Sequence, residues 1–337
     1  MTQLELVDGV LRGEAFVASL KGARATVIGL ARHASAAARL LNAVGARVRL
    51  EPVGTTAALA GEDLIVVTAA AALASPAVAT ARAAGALVLG DLDLGWCATE
   101  ADTIVVAGSG GVRAAMRFAS TVLGRQGRPL LVAGGAEEDL LVSAPGFDGG
   151  GLVLLEASAL QLATAQIFRP RVAVLMSAAP GGLGALPDPD GAAATPDILR
   201  RVLIHQTPRD CVILDADEPG TCELTRDARA RVLWCRTTGA LDHGVYVAKN
   251  RIAARLNGHV EEICPIGELP RGVLRAALVA VACALWVGMS PEAIASVLAP
   301  GKSGTAPFLA ARGRLRSVTT AERAGEARAP ASSTVTA

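Results

Sequence analysis

Along most of the chain, short aliphatic runs alternate with Ala- and Arg-rich stretches of helical period. "ATVIGLA" (25–31) reads as a strand and "SAAARLLNAVGA" (35–46) as a helix closed by a glycine. "RVRLEP" (47–52), "DLIVVTAA" (63–70) and "ALVLGDL" (86–92) are further strands. The series restarts at "TIVVAGS" (103–109) and continues through "PLLVAG" (129–134), "GLVLLEAS" (151–158), "RVAVLMSAA" (171–179), "CVILDAD" (211–217) and "RVLWC" (231–235). Parallel strands need a crossover between them, so strands alternating with helices predict βα units and a largely parallel sheet. The expected class is α/β. The restart after residues 98–102 divides it into a unit over 1–98 and a second over 99–300. Between residues 180 and 196 the pattern gives way to GGLGALPDPDGAAAT, a loop with few groups to pack. Beyond 300 the periodicity is lost, and 301–337 is expected to be a disordered tail.

Composition narrows this picture. The 337 residues are 52% hydrophobic, enough for a sizeable core, although Ala supplies much of that figure. The longest strongly apolar segment, 276–289, falls short of the ~20 residues that span a bilayer and predicts a buried helix. The first residues, MTQLELVDGVLRGEAF, lack the apolar core of a signal peptide, so the expected location is cytoplasmic, without membrane insertion. A net charge of +1 with no dense basic block argues against a nucleic-acid partner. Six cysteines without C-x-x-C spacing are expected to be reduced and mostly buried, and the four histidines show no ligand spacing. Lysine is confined to Lys21, Lys249 and Lys302, so no lysine lies between residues 22 and 248.

The candidate chemistry sits where strands run into glycines. "VVAGSGGVRAAM" (105–116) takes an apolar run through Gly108, Ser109, Gly110 and Gly111 into a helical pattern. That is either a tight strand–helix turn or a nest of backbone N–H groups able to hold an anion. Glu156 ends an apolar strand, where a carboxylate is costly unless solvated or paired. In "DADEP" (215–219), Asp217 and Glu218 are placed to meet a nucleotide or to cap a strand.

Six blocks, in order and at similar spacing, resemble the Mur ligase family, nearest to its D-glutamate-adding branch. They are "VIGLARHASAAARLLNAVGARVRL", "DLIVVTAAAALASPAVATARAAGALVLGDLDLGW", "VVAGSGGVRAAM", "VLLEASALQL", "RPRVAVLMSAAP" and "QTPRDCVILDADEP". The resemblance covers about residues 20–300. It implies a Rossmann-like UDP-substrate domain over 1–98 and a central ATPase-type domain over 99–300. The family's third, amino-acid domain would begin about where this chain stops. The family reaction uses ATP and magnesium to form an acyl phosphate that an amine attacks, and such chemistry demands cations and backbone donors at the phosphates. The resemblance assigns Gly108, Ser109, Gly110, Gly111, Arg113 and Asp217 to the nucleotide and Glu156 to the metal.

The sequence keeps the family's acidic residue as Glu156 and stays close to it in "DADEP" (215–219), but departs at the other reacting positions. The phosphate loop G-x-x-G-K-[ST] has Val112 in place of lysine and Arg113 in place of the metal-binding hydroxyl. The segment that carries the metal histidine reads Ser177-Ala178-Ala179-Pro180-Gly181-Gly182. The carbamylated lysine, placed by counting back from Gln206, falls near Leu199. His-Asn-x-x-Asn is replaced by Arg271-Gly272-Val273-Leu274-Arg275. In the first unit the glycine-rich turn reads Gly29-Leu30-Ala31-Arg32-His33-Ala34, which leaves Arg32 or His33 to hold a nucleotide-sugar, and the next loop reads Thr68-Ala69-Ala70. Residues that pack are kept and residues that react are not. This pattern is expected of a pseudoenzyme with a binding or regulatory role, whose partner would be a UDP-sugar-peptide or another cell-wall enzyme. The alternatives are a divergent ATP-dependent D-glutamate-type ligase completed by a partner chain, or a decayed gene product.

Overall fold

The computed structural model describes residues 11–29, 31–108, 110–135, 137, 139–177, 194–226, 228–267 and 271–298. The first unit comprises α1 (Gly13–Ser19), β1 (Arg24–Ile28), α2 (Ala31–Ala43), β2 (Arg47–Glu51), β3 (Leu64–Val67), α3 (Ala70–Leu73), α4 (Pro76–Ala83), β4 (Leu87–Gly90) and α5 (Asp91–Cys97). Its four strands pair in parallel in the order β2-β1-β3-β4. Helix α2 starts at Ala31 rather than at 35, because β1 ends at Ile28 and the turn at Gly29 is short.

The chain then builds β5 (Asp102–Ala107), α6 (Val112–Leu123), β6 (Leu130–Gly134), α7 (Leu140–Ser143), β7 (Leu152–Glu156), α8 (Ala159–Thr164), β8 (Val172–Leu175), α9 (Ala194–Arg200) and β9 (Cys211–Asp215). After a 3₁₀ turn over Pro219–Thr225 come β10 (Arg231–Arg236), β11 (Gly244–Ala248), β12 (Arg251–Leu256), β13 (His259–Pro265), α10 (Arg271–Trp286) and α11 (Pro291–Leu298). These nine strands form one sheet in the order β13-β12-β11-β10-β9-β8-β5-β7-β6, parallel from β6 to β11 and antiparallel from β11 to β13.

Side chains alternate across this sheet, which explains its unbroken apolar strands. Ile104, Val106, Leu152, Leu154, Val172 and Val174 face a core completed by α6, α10 and α11. Val105, Ala107, Val153, Leu155, Ala173 and Leu175 face a second core, shared with Val27, Leu41, Val66 and Leu89 of the first unit. Helix α5 lies at that joint with all seven residues buried. Its Asp93 carboxylate accepts the Gly90 N–H at 2.7 Å, closing the first turn, and also the N–H groups of Gln166 and Ile167 at 2.8 and 3.0 Å. One buried carboxylate thus ties β4 to the segment between α8 and β8. Across the same joint Trp96 and Phe168 meet edge to face, with ring centroids 6.2 Å apart.

The apolar segment 276–289 lies mostly in α10, whose residues 276–284 are all buried. Among the described residues no helix is long and apolar enough to cross a membrane. Cys97, Cys211, Cys235, Cys264 and Cys283 are buried and Cys222 is exposed, and none forms a disulfide. The alternation pattern did not predict β11–β13. Much of the 180–196 loop and all of the 301–337 tail fall outside the described residues.

Candidate functional site

In an open parallel sheet, a ligand crevice forms beyond the carboxyl ends of neighbouring strands whose connections leave in opposite directions. The larger sheet meets that condition between β5, which leads through α6 toward β6 and β7, and β8, which leads the other way to β9. Gly108 follows β5 so closely against β8 that a Cβ there would stand 2.8 Å from the Ser177 backbone nitrogen. Gly111 caps α6 in the left-handed region at φ 77°, a conformation that costs a side-chain-bearing residue ~1–2 kcal/mol. Gly110 is exposed with open space around it, and Ser109 lies outside the described residues. The helix then opens with Val112 half-buried and Arg113 exposed.

Glu156 ends β7, half-buried. The turn leaving β6 presses on it: a Cβ on Gly135, itself at φ 60°, would fall 2.3 Å from Glu156 Oε2. Beside it lies a cleft of about 170 Å³ lined by Arg113, Arg117, Ser120, Glu137 and Glu156, with Met116 and Val132 as its apolar part. Among the described residues the side chains of Arg113, Arg117, Glu137 and Glu156 have no ion-pair partner. The glycine turn, Arg113 and Glu156 therefore share one neighbourhood.

Asp217 is directed elsewhere. It accepts the N–H of Thr237 at 2.8 Å and the Thr237 hydroxyl, with Arg236 at 4.0 Å, so it holds the end of β10 against the turn after β9. The carboxylates on either side of it, Asp215 and Glu218, are bridged by one guanidinium. Arg275, in the second turn of α10, donates from Nε to Asp215 Oδ2 and from Nη2 to Glu218 Oε2 at 3.1 Å. The Ser177 hydroxyl donates to the other Glu218 oxygen at 3.1 Å. Burial pushes the Asp215 carboxyl up, against the opposing pull of the Asp217 N–H and of Arg275. The segments that end β8 and β9 and the start of α10 are laced together beside the crevice. The sequence showed 271–276 only as a lost motif. The available signal was an arginine entering an apolar helix while two acids waited at strand ends.

Other expectations fall away from the crevice. Leu199 is fully buried in the core shared by the two sheets. Residues 178–182 lie outside the described residues. In the first sheet the corresponding crevice lies between β1 and β3, where a Cβ on Gly29 would overlap the Thr68 hydroxyl at 2.0 Å. His33 Nδ1 stands 3.0 Å from Oδ2 of Asp91, whose side chain is buried, and Asp91 Oδ1 in turn accepts the Leu92 N–H at 2.9 Å. Leu30 lies outside the described residues, as does the side chain of Arg32. Among the described residues, no group of three or more His, Cys, Asp and Glu converges as a metal-binding set.

No protein-family model matches the chain. The UDP-N-acetylmuramoylalanine–D-glutamate ligase of Pelotomaculum thermopropionicum is 30% identical over 241 residues, which cover 70% of this chain and 52% of the relative. The enzyme of the same name from Geobacillus kaustophilus is 30% identical over 302 residues, covering 82% of this chain and 66% of the relative. The chain thus spans between half and two thirds of the length of these two curated relatives. Among solved structures, the UDP-N-acetylmuramate:L-alanyl-gamma-D-glutamyl-meso-diaminopimelate ligase from Neisseria meningitides has a similar fold. The TM-score is 0.51 at 14% identity, over 81% of this chain and 96% of that one.

Proposed function

The chain belongs to the Mur ligase family, and from that premise we propose that it keeps the family's fold as a binding or regulatory module without ATP-dependent ligation. The observation that carries this reading is Arg275: the carboxylates Asp215 and Glu218 beside the crevice are already bridged by a cation of the chain itself. An ATP–magnesium complex needs a cation at its β- and γ-phosphates and oxygen ligands on the metal. Val112 supplies neither charge nor hydrogen bond at the lysine position. Arg113, at the hydroxyl position, repels a divalent ion. Leu199, sealed in the core, offers no amine. The residues present do not fit the nucleotide and its metal. Each preorganised electrostatic contact is worth about 3–4 kcal/mol of barrier, and the joint loss of several removes acyl-phosphate formation. By its family, the ligand or partner of such a module is a UDP-sugar-peptide or another enzyme of cell-wall synthesis.

Calorimetry with ATP–magnesium tests the reading. The unmodified protein should show no binding in the micromolar range. A Val112→Lys, Arg113→Thr, Arg275→Asn variant, which restores a phosphate cation and a metal hydroxyl and removes the bridge, should bind at least tenfold more tightly. Micromolar affinity of the unmodified protein for ATP–magnesium would overturn the proposal.

A further inference from the structure

We propose that the cleft between α6 and the ends of β6 and β7 binds a small zwitterion, a molecule that joins an ammonium group to a phosphate or carboxylate, and that it does so without a metal ion. This rests on the reading of the crevice as one that does not hold a nucleotide.

The cleft is divided by charge. Its helical wall carries Arg113 and Arg117, one turn apart on the same face of α6. Its strand-end wall carries Glu156 from β7 and Glu137 from the turn after β6. Like charges at i and i+4 repel, so the two guanidiniums oppose each other until an anion is shared between them. The N-terminal end of α6 adds its partial positive charge on the same side. Across the cleft two carboxylates stand in the same relation to a cation. Among the described residues the four formal charges of the lining cancel, and that balance selects against a polyanion and equally against a bare divalent ion. A net-neutral ligand with separated charges satisfies both walls.

Size agrees. The volume of about 170 Å³ is below the ~300 Å³ at which drug-sized pockets begin, so the occupant is small. The Glu156 carboxylate lies close against the backbone of the Gly134–Gly135 turn, where a Cβ on Gly135 would stand 2.3 Å from Oε2. Met116 and Val132 supply an apolar patch for a short carbon linker between the charged groups.

Calorimetry on the full chain with four probes tests the proposal: O-phosphoethanolamine, β-alanine, inorganic phosphate and ethylamine, each with and without magnesium. At least one of the two zwitterions should bind tenfold or more tightly than either single-charge probe, with no dependence on magnesium. Which zwitterion binds identifies the anionic group. Arg117→Gln and Glu156→Gln should each weaken that binding at least tenfold, and Glu137→Gln serves as the second carboxylate variant should Glu156→Gln fold poorly. Phosphate binding as tight as that of the zwitterions and indifferent to the carboxylate variants would overturn the proposal, as would binding of none of the probes. Tight ATP–magnesium binding would instead overturn the non-nucleotide reading beneath it.

Discussion

At the scale of single residues, the site differs from its sequence pattern through one arginine and the joint is governed by one aspartate. Arg275 was visible only as a departure from His-Asn-x-x-Asn. Its role appears when the fold carries the start of α10 to the end of β9, a contact between residues sixty apart that no local pattern encodes. Asp93 is a comparable case. Burial pushes its carboxyl up to about 6, outweighing the N–H groups of Gly90, Ile167 and Gln166 that favour the ionised form. A carboxyl raised on folding binds more protons in the folded than in the unfolded chain between pH ~4 and ~6, so its contribution to stability falls as pH rises through that window. Two units correspond to about 3 kcal/mol. Urea unfolding of the parent and of Asp93→Asn at pH 4, 5, 6 and 7 should show the stability difference drifting toward the variant by about that amount as pH rises. A pH-independent difference would show that Asp93 is not raised.

At the scale of elements, β5, β7, β8 and β9 were legible because each is an apolar run buried on both faces, and the partly exposed β6 and β10 because their aliphatic runs remain short and unbroken. β11–β13 were not, although their turns announce themselves. Residues 248 and 251 pair directly, so Lys249 and Asn250 form a two-residue loop with φ 49° and 61°. Asn257 and Gly258 do the same between Leu256 and His259, with φ 51° and 83°. Such pairs of positive φ are what a type I′ hairpin turn requires, and Asn-Gly is its strongest sequence signal. The flanking strands hid it: β13 exposes His259, Val260, Glu261 and Glu262, so its outer half shows no apolar face. Gly258→Ala should destabilise the protein by about 1–2 kcal/mol, the cost of a Cβ in the left-handed region. An unchanged denaturation midpoint would argue against this turn.

At the scale of the whole molecule, the two series of βα units could be counted from the sequence, but not the way in which they share a core. The cluster that joins Leu41, Leu89 and Leu94 to Val105, Leu155 and Phe168 depends on which face of each strand looks toward α5, and that follows from sheet order rather than from spacing. The same interiors enclose five of the six thiols. Cys211, Cys235 and Cys283 are all raised by burial, Cys283 to about 12, and Cys97 and Cys264 are raised for the same reason. Only the thiolate attacks an electrophile, so these groups are silenced twice, by inaccessibility and by protonation. The protein therefore carries its own clock for opening. A maleimide should label Cys222 at once and the other five only as their surroundings unfold, at rates that rank local stability from one interior to the next. Mass spectra taken along the labelling time course should show a single adduct persisting under native conditions, and early appearance of a second would mark the part of the fold that opens first.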